Sequence, residues 1–298
     1  MQIQSMHFKA RAGQKLADQR LQQNLKKLST KFVSGRASAI LELDDFEGTR
    51  DAAIEKRMRA IENLDVWLDT FEQEATRRGA TVLYAETAEA ASRLVVEIAQ
   101  KHGVKKAIKS KSMVSEEMAL NRALEAAGVQ AVETDLGEYI LQINNNEAPS
   151  HIIAPVLHKD KEEISDLFAR VHNKPRLTDI PQMTREAREM LRPHFLSADM
   201  GITGGNFVIA ETGSVAIVTN EGNEGMCTTL PPKVHVAVTG IEKVLPTLED
   251  FATVMRLLPR SATGQSISNY VSLLTGPKRE GDVDGPEHMY IVLVDGGR

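Results

Sequence analysis

The chain has 298 residues, of which 42% are hydrophobic and 26% charged, and its formal net charge is −5. That is close to the globular average and excludes wholesale disorder, collagen-like repeats and a disulfide scaffold. No run of about 18 apolar residues occurs, so no membrane-spanning helix is expected, and Met1 to Ala12 lacks the apolar centre of a secretory signal. The lone Cys227 makes no internal disulfide and no cysteine-ligated cluster, which fits a reducing cytoplasm.

Residues 1–40 carry eight Lys or Arg against one acid, Asp18. Such an arm suits a solvated helix face or docking to an anionic surface or another protein. No aromatic interleaving or nucleic-acid motif accompanies it, so no nucleic-acid partner is expected. Leu21, Leu25, Leu28 and Phe32 share one helical stripe over about 12–33, and Ile54, Met58, Ile61, Leu68, Phe71 and Ala75 another over about 49–78, stopped at Gly79. Residues 1–79 therefore read as a helical N-terminal layer, and 80–298 as a separate α/β domain.

From Ala80 short apolar runs alternate with amphipathic helices. Thr81–Ala85 reads as a strand, and Thr87 caps a helix that ends at Gly103. Lys106–Lys109 is a second strand, Ser115 caps a helix to Ala127, and Val129–Glu133 is a third strand. Tyr139–Ile143 and Ile152–Pro155 are short β candidates, and Glu162–His172 and Arg185–Leu191 read as helices. Phe207–Ala210 and Val215–Thr219 are strands flanking a turn at Glu211–Ser214, while Val234–Thr239 and Met289–Val294 have buried-strand length. Thr247–Leu258 is one more helix, stopped by Pro259. This alternation predicts an α/β fold with a mainly parallel sheet flanked by helices.

Lys109-Ser110-Lys111-Ser112 falls between a strand end and a helix start, where parallel sheets bind anions; the alternative is a solvated loop with an ordinary cap. Gly204, Gly205 and Asn206 form a loop whose backbone can approach a ligand closely. Glu211, next to Thr212, lies at a strand end, as a base, a nucleophile, or a carboxylate bonded to turn amides. Asn220–Gly225 lacks EF-hand spacing and reads as a hairpin or loop. His151 and His158 are seven apart without a zinc pattern, and His235 sits inside a strand, so no metal site is expected. Neither a nucleotide-binding glycine fingerprint nor a nucleophile elbow occurs.

The phrases Lys109-Ser-Lys-Ser-Met-Val-Ser-Glu-Glu117, Glu133-Thr-Asp-Leu-Gly-Glu-Tyr-Ile140, Pro149-Ser-His-Ile-Ile153, Ala198-Asp-Met-Gly-Ile-Thr-Gly204, Ala210-Glu-Thr-Gly-Ser214 and Thr219-Asn-Glu-Gly222 resemble the lactate utilization protein B family. Its characteristic region is the lactate-utilisation (LUD) domain. The resemblance implies a fold similar to the ribose-5-phosphate isomerase, glucosamine-6-phosphate deaminase and CoA-transferase group. It also implies membership of a cytoplasmic multi-subunit complex that oxidises L-lactate to pyruvate.

The partners so implied are the other subunits and a small anion, lactate or pyruvate. Family members continue past a phrase like Val294–Arg298 into a ferredoxin-like segment holding [4Fe–4S] clusters. This chain looks like the N-terminal part of such a protein, or one that has lost electron transfer, and no cofactor is expected within 1–298. A lactate site needs a cation for the carboxylate, here Lys109 and Lys111, and a base for the hydroxyl proton, here Glu211 or His151; the chain alone should not turn over. Ser110, Ser112, Gly204, Gly205, Asn206 and Thr212 complete the expected binding set. Two other readings remain open. One is a stand-alone enzyme on a sugar phosphate or CoA ester using Glu211, since Glu211-Thr-Gly213 is loosely similar to a CoA-transferase nucleophile phrase. The other is a non-catalytic assembly module.

Overall fold

The computed structural model describes residues 5–151 and 154–297. Four helices come first: α1 (Phe8–Ala17), α2 (Gln19–Leu41), α3 (Phe46–Glu62) and α4 (Leu64–Arg77). The stripe expected over 12–33 is divided by Asp18, whose extended backbone ends α1 while its carboxylate accepts from Leu21 N at 3.0 Å to start α2. Asn63 divides the longer stripe between α3 and α4 through its non-helical backbone alone, without a capping hydrogen bond from its side chain to α4.

The strands are β1 (Thr81–Ala85), β2 (Lys106–Lys109), β3 (Gln130–Glu133), β4 (Met200–Thr203), β5 (Phe207–Ile209), β6 (Ser214–Thr219), β7 (Val234–Gly240), β8 (Val244–Leu245), β9 (Tyr270–Leu274) and β10 (His288–Val294). Between them lie α5 (Ala88–Lys101), α6 (Met113–Glu117), α7 (Leu120–Ala126), α8 (Leu136–Ile143), α9 (Lys161–His172), α10 (Ile180–Leu196), α11 (Gly222–Gly225), α12 (Leu248–Met255) and α13 (Leu258–Thr263). Six strands form an all-parallel sheet in the order β1-β10-β7-β4-β2-β3. A smaller mixed sheet has the order β8-β5-β6-β9, with β5 and β6 as an antiparallel hairpin. The chain is thus α/β, with a six-stranded parallel sheet flanked by helices.

Side-chain alternation explains why this sheet is covered on both faces. Tyr290, Val292 and Val294 of β10 pack with Val95, Ile98 and Leu124 of α5 and α7. Met289, Ile291 and Leu293 of the same strand point the other way, onto Phe71 and Ala75 of α4 and onto Val208 and Val215 of the small sheet. Burying each such side chain contributes about 1.5–3 kcal/mol. Helix α4 therefore completes the core shared by the two sheets, while α3 packs on α12 and α2 on α13. Gly213 makes the α4 contact possible: its φ is +61°, and a Cβ there would lie 2.3 Å from Ala75 N.

Several local expectations are corrected. Residues 139–143, read as β, belong to α8: the Asp135 carboxylate accepts from Gly137 N at 2.8 Å and Glu138 N at 3.3 Å and starts a helix that a five-residue apolar run could not reveal. Of the β candidate 152–155, Ile152 and Ile153 lie outside the described residues, and Ala154 and Pro155 form no strand. Ser112, not Ser115, caps α6, and the helix expected to run on to Ala127 breaks at Ala119, whose φ is +50°. Pro259 does not end α12 but opens α13, where its missing N–H costs nothing. Residues 222–225 form a helical turn rather than a loop. Among the described residues, no helix is long and apolar enough to cross a membrane.

His235 is fully buried on β7, with Nε2 3.0 Å from Thr203 Oγ1, and burial pushes its pKa down to about 4. The ring is neutral in the fold and charges near 6.5 when unfolded. Stability should therefore fall as pH drops from about 6.5 towards 4, because the unfolded chain binds the extra proton. Urea midpoints across this range should show that fall in the native chain and a shallower one in His235→Gln; equal slopes would refute the assignment.

Candidate functional site

In a parallel sheet all strands end at one rim, and β2 and β3 are in register there, Lys109 opposite Glu133. A charge at the end of each strand is thereby forced against its opposite. Lys109, 1% exposed, places Nζ 3.0 Å from Glu133 Oε1, 3.0 Å from Glu116 Oε1 on α6 and 3.2 Å from Ser115 Oγ. Burial disfavours its charge, yet the two carboxylates more than offset that and raise its pKa. Asn121 of α7 donates to the same Glu133 Oε1 at 2.6 Å.

One turn further, Asp135 caps α8 and Glu138 occupies its first turn. Burial, together with the hydrogen bond and charge of Asp135, pushes Glu138 up to about 9 and so keeps it protonated at neutral pH. Lys111 Nζ lies 3.5 Å from Glu138 Oε1. From α11, after β6, Glu224 is pushed up to about 7 by burial and by Asp135. Asn223 of the same helical turn donates to Thr134 O at 2.8 Å and ties it to the end of β3.

Glu116, Asn121, Glu133, Lys111 and Glu138 border a cleft of about 840 Å³ walled by α1, α6, α7, α8 and residues 146–151. His151 also lines it, and α1 contributes Phe8 and Arg11. His151 Nδ1 accepts from Ala154 N at 3.2 Å. In the neutral ring this places the proton on Nε2, which makes that atom a donor.

The LUD domain model matches residues 68–294. The chain belongs to the LUD domain family. Lactate utilization protein B of Geobacillus kaustophilus (strain HTA426) is 48% identical over 263 residues, covering 88% of this chain and 55% of its own length. The protein of the same name from Bacillus subtilis (strain 168) is 44% identical over all 298 residues, covering 62% of its length. The chain thus spans between 55% and 62% of these relatives. Among solved structures, a DUF162 family protein from Deinococcus radiodurans aligns with 78% of this chain and 98% of its own at 14% identity, with a TM-score of 0.40.

Within this LUD domain the expected site residues separate into three groups. Lys111, Ser112 and His151 line the cleft, and Lys109 lies buried beside it. Ser110, Gly204, Gly205 and Asn206 brace its framework. Ser110 N donates to Ile202 O, a Cβ on Gly204 would lie 3.0 Å from Ser112 Oγ, Thr239 donates to Gly205 O, and Asn206 Oδ1 accepts from Val218 N. Glu211 and Thr212 are elsewhere, in a helical turn beside the small sheet. Glu211 is exposed, accepts from Leu248 N at 2.9 Å at the start of α12, and does not line the cleft. The structure does not gather Lys109 and Glu211 around one anion.

Sequence reasoning passed over Glu133, Glu138 and Asn121 as site residues. The signal for Glu133 was present, since the runs ending at Lys109 and at Glu133 both close on a charge at the same end of a parallel sheet. An iron–sulfur cluster needs several thiolates, and this chain has one cysteine, half-buried Cys227. Among the described residues no group of three or more His, Cys, Asp and Glu fits a metal ion. The donor set does not fit a cluster.

Proposed function

We propose that this LUD domain is part of a protein of L-lactate utilisation, working in a multi-subunit complex that oxidises L-lactate to pyruvate, and that the cleft holds the small acid. One observation carries the reading: relatives 42–48% identical to the chain bear the name lactate utilization protein B. The cleft chemistry agrees with it. An α-hydroxy acid carries a carboxylate that needs a cation and a donor, and Lys111 and His151 Nε2–H supply them. The chain's own residues bind and orient the acid. Any iron–sulfur group that accepts the electrons would be held outside these 298 residues, because Cys227 alone cannot ligate one.

A strain lacking the protein should fail to grow on L-lactate while growing on glucose. The complex purified with Lys111→Ala should show a KM for L-lactate raised at least about tenfold, the loss of one charge-assisted contact. Normal growth of the deletion strain on lactate would overturn the role, and an unchanged KM would remove the acid from this cleft.

A further inference from the structure

The cleft has features that a three-carbon acid leaves unused. Asn121 Nδ2 donates to Glu133 Oε1 at 2.6 Å, so the two side chains lie together. Their remaining acceptors, Asn121 Oδ1 and Glu133 Oε2, are buried and have no hydrogen-bond partner among the described residues. Glu133 as a whole is 4% exposed, and it lines the cleft. Two buried acceptors on side chains bonded to each other call for a ligand that brings two donors, since a buried acceptor left without a donor is destabilising.

The same cleft is also lined by Arg11 and Lys15 of α1 and Arg122 of α7. All three are exposed, and none has a carboxylate partner among the described residues. Met113, Leu120 and Leu141 add apolar wall. Phe8 lines the cleft while 71% exposed, which leaves an aromatic surface for a flat group to cover. A volume of about 840 Å³ lies in the range of organic cofactor and drug-sized sites, far above the needs of lactate.

We infer that the cleft binds a nucleotide whose base presents a ring N–H beside an amino group, as guanine does, to Glu133 and Asn121, with its phosphate on Arg11, Lys15 and Arg122. Adenine offers the amino group beside a ring acceptor, and uracil an N–H between two carbonyls, so each would set an acceptor against an acceptor. Sugar phosphates and inorganic phosphate would meet the cations alone. The inference rests on the cleft and not on lactate as substrate, so it is tested in the absence of lactate.

Titration calorimetry on the full-length protein should show saturable binding of GMP, at least about tenfold weaker binding of IMP, which lacks the amino group, and none of ribose 5-phosphate. Guanosine, without the phosphate, should also bind at least tenfold more weakly. The exposed double variant Arg11→Glu/Lys15→Glu should reduce GMP affinity at least tenfold with an unchanged melting temperature, and Asn121→Leu should abolish the preference for GMP over IMP. Absence of saturable GMP binding, equal affinity for GMP and IMP, or an Arg11→Glu/Lys15→Glu variant that binds GMP normally would each overturn the inference. Nucleotide binding together with normal growth of the deletion strain on lactate would overturn the lactate reading alone.

Discussion

Replacing Lys109 by Met should cost about 3–5 kcal/mol, the loss typical of removing one partner from a buried ion pair. The ammonium is 1% exposed, and Glu133 opposite it is 4% exposed, so the carboxylate left behind has neither water nor cation. Met fills nearly the same volume, which confines the effect to the lost charge. Urea unfolding should report the deficit, and the melting temperature should fall by roughly 5–10 °C. The double variant Lys109→Met/Glu133→Gln should recover more than half of it, since the buried charge is then gone. A single variant within about 1 kcal/mol of the native chain would show that the pair is not held as described.

The second large effect is expected at Gly201, in the middle of β4. A Cβ at that position would lie 1.7 Å from the backbone oxygen of Thr228 and 2.6 Å from its carbonyl carbon. No rotamer relieves a clash with backbone, so the 228 segment has to move. Gly201→Ala should then cost about 3 kcal/mol, at the upper end of ordinary overpacking. The same segment follows α11, which carries Asn223 and Glu224, and Asn223 is bonded to the end of β3. Ligand affinity of the cleft should therefore fall along with stability, whereas a variant at a remote core position should lose stability alone. An Ala variant that melts with the native chain would sink the prediction.

Legibility in the sequence followed how local the cause was. Strands β7 and β10 were visible because seven consecutive buried positions in the first and six in the second leave an apolar run that nothing but a covered strand explains well. Strand β4 was hidden, because Met200-Gly-Ile-Thr203 is short and its glycine, kept for the Thr228 contact, reads as a loop. Helix α8 looked like a strand because its capping carboxylate, Asp135, stands outside the apolar run that drew attention.

The site divides in the same way. Lys109 and Lys111 could be found as charges at a strand end, a local feature. Glu133 acquires its meaning from register with β2, and Arg11 and Lys15 acquire theirs from where α1 comes to rest. Neither of those facts has a signature in neighbouring residues. Glu211 was drawn into the site by its position between two strands. The amide that it serves, Leu248 N, belongs to a helix whose placement depends on β8, a two-residue strand.

The strand order has a consequence for how the protein is made. Among the described residues, β1 pairs only with β10, Thr81 beside Tyr290 and Ala85 beside Val294. On a ribosome, the earliest strand of the sheet therefore waits for the last before either edge of it is covered, and α4, which sits over β10, waits with it. While residues 86–294 are being made, the nascent chain carries an open strand and a bare apolar helix face, and both are surfaces that chaperones recognise and aggregates exploit.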